Sequence, residues 1–190
     1  MKFHLAINLE RMTDSADMVA TRDHMVGIVK MADQSGFEIV WAAEHRTLEM
    51  TIAPNPFQLL SCWAQHTKKI RLGVGVTNAA HWHPINNAGE AALLDLISEG
   101  RLEFGLGSGA YQREFDRMRP GFEQKDSWRY MQEMLPLVQN FGKAMSPIRV
   151  GFGNFQPPPL AQKRPRKSAD MGSRARRSRL TTRWLMIAIL

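Results

Sequence analysis

Apolar positions in this chain alternate between two spacings. FHLAIN (3–8) is a short apolar run, the signature of a strand, and the polar Thr13, Asp14 and Ser15 that follow supply candidate helix caps. From 17 to 35 the apolar residues Met18, Met25, Ile28, Val29 and Ala32 recur at helical spacing, and Ser35–Gly36 stops the run. FEIVWAA (37–43) is β-branched and aromatic without polar alternation, as in a strand covered on both faces.

The same pair of patterns then repeats. PNPFQLLSCWAQHT (54–67) predicts a helix opened by its prolines, and IRLGVGV (70–76) a strand. INNAGEAALLDLIS (85–98) predicts a helix ended by Gly100, RLEFGLG (101–107) a strand, and DSWRYMQEMLPLVQ (126–139) a fourth helix interrupted by Pro136. Strands alternating with helices of this length predict parallel strands joined by helical crossovers, an α/β fold. Four such units make either an open sheet or half of an eight-stranded barrel, and periodicity does not choose between them.

Composition changes the picture only when it is divided along the chain. The net charge is +7, which by itself suggests a nucleic-acid partner. Residues 140–190, however, hold 11 Lys/Arg and one acid, leaving 14 bases against 17 acids in residues 1–139. The body is slightly acidic and the excess belongs to the tail. A single cysteine, Cys62, excludes an internal disulfide framework and fits a reducing compartment. The polar start MKFHLAINLER does not suit a secretory signal, and the closing apolar run WLMIAIL (184–190) is too short to span a membrane. A cytoplasmic location is the expectation.

In parallel α/β folds, ligands bind beyond the carboxyl ends of the strands. Three segments fall there: AAEHR (42–46), GVTNAAHWH (75–83) and GLGSGAY (105–111). This placement lets His45, His81 and His83 converge on one mouth. Taken singly, each segment has an ordinary reading. Glu44–His45 also suits a polar exit into a loop. His81 and His83 without a placed carboxylate make a poor metal set. GLGSGAY is G-x-G-x-G, not the dinucleotide spacing, and no helix start is evident after it. Cys62, on the apolar side of a helical pattern, suits a buried inert thiol.

Together, and in order, the strand–AEH, APNPF, strand–GVGVT…HP and ISEGRLEFGLGSGAYQREF segments resemble the luciferase-like flavin-dependent monooxygenases over residues 1–139. The resemblance implies the N-terminal half of a (β/α)8 barrel of the TIM type, followed by an irregular C-terminal tail. It implies a reduced flavin, commonly FMN and in some branches a deazaflavin, that uses O2 to place one oxygen on a small organic substrate. A flavin reductase is the implied partner. His45 matches the strand-end histidine implicated in oxygen chemistry, suited to it by an imidazole that exchanges protons near neutral pH. Arg46 stands where many members carry a second histidine. Gly75–Val76 falls where the family places a non-prolyl cis peptide under the flavin ring. Ser108 takes a position that is often arginine and faces the flavin phosphate. Glu44 and Ala110 complete the implied cofactor-binding set, Thr77 and Tyr111 the expected mouth, and no metal is implied.

A complete barrel needs about 250 residues. From Asn140 the chain loses its periodicity, and QPPPLAQKRPRKSADMGSRARRSRL is rich in Pro, Arg and Ser. That composition suits a disordered segment, and a nucleic-acid patch is the weaker reading. A third reading is a shifted frame: other reading frames permit family-like continuations over 140–160 and 169–177. On any of these readings residues 1–139 form the half-barrel and 140–190 a basic tail. The exposed edges of a half-barrel predict a homo-oligomer or an aggregation-prone chain with negligible turnover. The rival expectation is a non-catalytic remnant, or a half-barrel that requires a partner chain.

Overall fold

A computed structural model describes residues 2–145, with side chains described to residue 140. The strands are β1 (His4–Ala6), β2 (Ile39–Ala42), β3 (Arg71–Asn78) and β4 (Leu102–Gly107). The helices are α1 (Met18–Gln34), α2 (Pro56–His66), α3 (Pro84–Ile97), α4 (Gln112–Met118) and α5 (Trp128–Met145). Short 3-10 turns occupy Ala79–His81 and Gln124–Asp126.

Local chemistry sets the helix starts. Asp17 Oδ1 accepts the Val19 and Ala20 N–H groups at 2.9 and 3.0 Å. Asn55 caps α2 by accepting from Phe57 and Gln58, with Pro56 in the first turn. His83 Nδ1 accepts the Ile85 N–H at the head of α3. Each cap satisfies amides that a helix leaves unpaired, and proline suits the first turn because its missing N–H is not needed there.

All four strands are parallel and lie in sequence order, β1-β2-β3-β4. Residues alternate between the two faces. Val40, Ala42, Leu72, Val74, Leu102 and Phe104 point to the helical layer and are buried with Val29, Leu60, Trp63 and Leu94. The register places Ala6, Trp41, Gly73 and Glu103 across the opposite face. There the Trp41 ring lies over β3 so closely that a Cβ at Gly73 would sit 2.3 Å from Trp41 Cε3. At the lower end of this face Arg71 Nε donates to Glu103 Oε1 at 2.5 Å.

The segment SEGR (98–101) is a joint. Gly100 takes φ +80° and ends α3. Arg101 then donates to the carbonyls of Ser98, Ile70 and Ala64 and to Thr67 Oγ1. One guanidinium thereby ties the end of α2, the start of β3 and the start of β4 together. Asp33 does similar work from α1, accepting the N–H groups of Lys68, Lys69 and Ile70 at 2.6–3.1 Å.

Four expectations change. The cap of α1 is Asp17, not Thr13, Asp14 or Ser15. A helix does follow GLGSGAY: α4 begins at Gln112, where Gln112 Nε2 donates to Asp116 Oδ1 and to the Phe122 carbonyl. The fourth predicted helix, α5, is not interrupted at Pro136 and runs on to Met145. Burial of Met134 and Val138 on either side of the proline supplies the packing that offsets one lost backbone bond. Cys62 is half-buried instead of buried. Residues 140–145, expected as the start of the irregular basic tail, belong to α5; the rest of that tail, with its shifted-frame reading, lies outside the described residues.

Candidate functional site at the carboxyl ends of the strands

β2 delivers Glu44 and His45 just past its last residue, and the loop then folds back so that the His45 N–H donates to the Ala53 carbonyl at 2.9 Å. Glu44 is buried, with its side chain 1% exposed. Its Oε1 accepts Arg46 Nε at 2.6 Å. Its Oε2 accepts Trp82 Nε1 at 2.6 Å and the Asn78 N–H at 3.0 Å. A single carboxylate therefore holds the β2 exit to the β3 exit. The Arg46 guanidinium also lies 5.0 Å from the Trp82 ring centroid, a cation–π contact.

Around this hub stand two histidines and a second buried carboxylate. His81 Nδ1 is 3.7 Å from Glu44 Oε1, and the His81 ring packs on Phe115 with centroids 4.9 Å apart. His45 Nδ1 is 3.7 Å from Glu114 Oε2, and its ring lies 5.8 Å from that of Tyr111. Glu114, from α4, accepts the Arg46 N–H at 2.7 Å through its other oxygen. Burial pushes the Glu114 carboxyl upward, but the His45 contact, the Arg46 N–H and the charges of His45 and His81 outweigh it. The carboxyl is held below its ordinary 4.5.

β3 carries the irregular part of the mouth. The Gly75–Val76 peptide is cis, at the position the family resemblance implied. The β3–β4 register slips between Val74 and Thr77 at the same point. Thr77 is fully buried and donates through Oγ1 to the Gly105 carbonyl. Val76 places its methyls against β4, where a Cβ at Gly107 would come within 2.5 Å of Val76 Cγ2. Gly109, at φ +84°, has the Asn78 side chain against it, with no room for a Cβ. This close approach brings the β4–α4 turn, with Ser108 and Ala110, down onto the end of β3.

Of the residues expected at the mouth, Glu44, His45 and Tyr111 are tied into one connected group through Arg46 and Glu114, with His81 joined to it, while Thr77 bonds instead to the Gly105 carbonyl. Ser108 and Ala110 lie in the turn that completes its rim, Ser108 half-buried and Ala110 exposed. His83 does not join; its imidazole is spent on capping α3. Glu114, Asn78 and Trp82 were missed. Glu114 had a signal in REF (113–115), a polar residue one turn into a segment that directly follows the strand-end glycines. It went unread because no helix was expected there.

The residues present suit a flat aromatic ring. Of the four β-strand glycines on the inner face, Gly73 lies under the Trp41 ring and Gly105 and Gly107 lie against Val76, so the surface open to a ring is at Gly75, which adjoins the cis peptide and is exposed within a strand whose other members are mostly buried. They suit a phosphate less well. Arg113 and Arg117 both pair with Glu49, and Arg117 also donates to the Thr47 carbonyl. Ser108 is left as the polar group of the turn.

The family profile described as luciferase-like monooxygenase matches residues 1–170. The chain belongs to that family. A flavin-dependent trigonelline monooxygenase, oxygenase component, from Acinetobacter baylyi is 38% identical over 170 residues, covering 87% of this chain and 47% of the relative. The chain thus spans about half the length of this luciferase-like relative. Among solved structures, the monooxygenase RslO1 from Streptomyces bottropensis is 27% identical with a TM-score of 0.67, over 74% of this chain and 42% of that one. The oxygenating constituent of 3,6-diketocamphane monooxygenase from Pseudomonas putida, solved in complex with FMN, shares the fold at 24% identity and TM-score 0.66. It covers 73% of this chain and 38% of that one. The four βα units are accordingly about half of the luciferase-like TIM-type barrel. No helix among the described residues is long and apolar enough to cross a membrane.

Proposed function

We propose that this chain supplies the histidine-bearing half of a flavin-dependent monooxygenase site. Reduced flavin and O2 would there oxygenate a small organic substrate, with a separate reductase supplying the reduced flavin. The observation that carries the reading is the gathering of His45, Glu44, Tyr111 and the exposed Gly75 with its cis peptide at one end of a parallel sheet. Similarity to a flavin-dependent oxygenase component supports it.

FMN is the proposed flavin, and a deazaflavin is the variant that the same ring-shaped face also admits. Gly75 and Val76 would lie against the ring, and Ser108 and Ala110 toward the phosphate end. His45, one-fifth exposed at the rim, would hold or move a proton for the oxygen transferred. Glu44 would act indirectly, fixing the backbone ends that form the mouth. The bound flavin supplies the electrons; the chain's residues orient it, exclude water and manage protons.

A second reading is favoured by one observation. Among the described residues β1 and β4 have no outer partner strand, and the chain covers under half of its luciferase-like relatives. On that reading the half-barrel acts only with a complementary partner chain, or is a remnant that does not act at all. The two separate in a longer chain that carries a second half. There His45→Ala should slow oxygenation by ~10²-fold or more, the range of a lost general acid–base, with flavin affinity nearly unchanged. Equal loss of both would reduce His45 to a binding or structural residue.

A further inference from the structure

The mouth contains one buried carboxylate more than its arginine neutralises. Arg46 commits its guanidinium to Glu44 at 2.6 Å and to the face of Trp82. Glu114, only 4% exposed, takes from Arg46 nothing but a backbone N–H. A buried carboxylate without a partner is costly, and the side chain in ion-pair range of Glu114 is His45, Nδ1 to Oε2 at 3.7 Å. That nitrogen is buried and has no hydrogen-bond partner of its own.

We propose that Glu114 is the positioning residue for His45. It holds a proton on Nδ1 and leaves Nε2 as the nitrogen that serves the mouth. Resting on the reading of His45 as the working group, this deepens that reading by assigning its tautomer and its partner. The contact is longer than a hydrogen bond, as pairs of this kind often are before a ligand closes the site. A carboxylate offers only acceptors, so facing Nδ1 it favours the Nδ1–H form. The other groups around the ring are accounted for. From its own loop, Glu44 is filled by Arg46, Trp82 and the Asn78 amide. From the end of β3, His81 turns Nδ1 toward Glu44. From the turn before α4, Tyr111 contributes its ring. From α4, Arg113 is paired away to Glu49.

The test is the nitrogen spectrum of the imidazoles in the 190-residue chain without flavin, in solution or, by magic-angle spinning, in the sedimented protein. His45→Gln assigns the resonance. At about pH 8, above the ordinary imidazole range, the wild-type chain should show Nδ1 protonated and Nε2 bare. Glu114→Gln keeps the size and can still accept the Arg46 N–H, but turns an amide donor toward Nδ1. It should move His45 to the Nε2–H tautomer. An Nε2–H tautomer in the wild type, or the same tautomer in both chains, overturns the proposal. The wild-type spectrum alone decides if the variant does not fold. Failure of flavin binding would refute the functional reading and leave this result standing.

Discussion

Replacing Glu44 by leucine removes the acceptor that joins the ends of β2 and β3. Three donors meet its two oxygens: Arg46 Nε, Trp82 Nε1 and the Asn78 N–H. Two of them are neutral N–H groups, an indole and a backbone amide, each costing about 1–3 kcal/mol when left unsatisfied in the interior. The third is a guanidinium whose side chain is 21% exposed, so it recovers part of its loss from water. Breaking one side of a buried pair costs about 3–5 kcal/mol, and the donor losses fall within that figure instead of adding to it. With a urea slope of about 2 kcal/mol per molar, the unfolding midpoint should fall by roughly 1.5–2.5 M. Glutamine should do nearly as badly, because its amide would point a donor at a donor. Arg46→Met should cost at least as much, since it leaves the Glu44 carboxylate, 1% exposed, without its counter-ion, and the double variant Glu44→Leu/Arg46→Met should recover part of the single loss. Urea unfolding followed by tryptophan fluorescence reads all four proteins. A shift below about 0.5 M for Glu44→Leu would refute the description of Glu44 as the hub.

Other outcomes follow from the same structure. Gly73→Ala should destabilise by about 1–3 kcal/mol through overpacking against Trp41, and Trp41→Leu should relieve it, since the clash is with ring atoms and not with backbone; additive losses in the double variant would contradict this. Acid should weaken the fold. The carboxyls of Glu114 and Asp33 are each subject to burial, which raises them. The His45 contact and the Arg46 N–H for Glu114, and hydrogen bonds from three backbone amides for Asp33, outweigh it and hold both below their ordinary values of 4.5 and 3.8. Groups so lowered add stability above those values and lose it as pH falls through the folded ones. Urea midpoints should therefore drop between about pH 5 and pH 3, and less so in Asp33→Asn. Burial raises Asp95 and works the other way, so a midpoint that rises on acidification would mean its contribution dominates.

Much of the fold was legible because its signals are local. The prolines that open α2, the stop at Gly100 and the unbroken apolar runs of β2 and β3 each point the same way as the final structure. One motif of the family resemblance, SEGR, builds a joint: Arg101 spends its guanidinium on three carbonyls and a hydroxyl. It marks the fold and contacts none of the mouth. What was illegible is long-range. Glu114 meets the His45–Arg46 segment across 68 positions of sequence, and α4 carries no side-chain cap to announce it. Asn78 packs on Gly109 only because the two strand ends meet in space. Pro136 misled in the opposite sense, since a local breaker was overridden by the packing of its neighbours.

The mouth built by these residues should accept reduced flavin. An anaerobic titration of reduced FMN into the purified 190-residue chain, with reduced deazaflavin in parallel and His45→Ala as the control, tests it most directly. Binding of reduced FMN should be saturable, survive His45→Ala and weaken when alanine at Gly75 narrows the inner face. No saturable binding of either flavin by the wild-type chain would contradict it, and would leave the sheet and its buried Glu–His cluster as the remnant of a site.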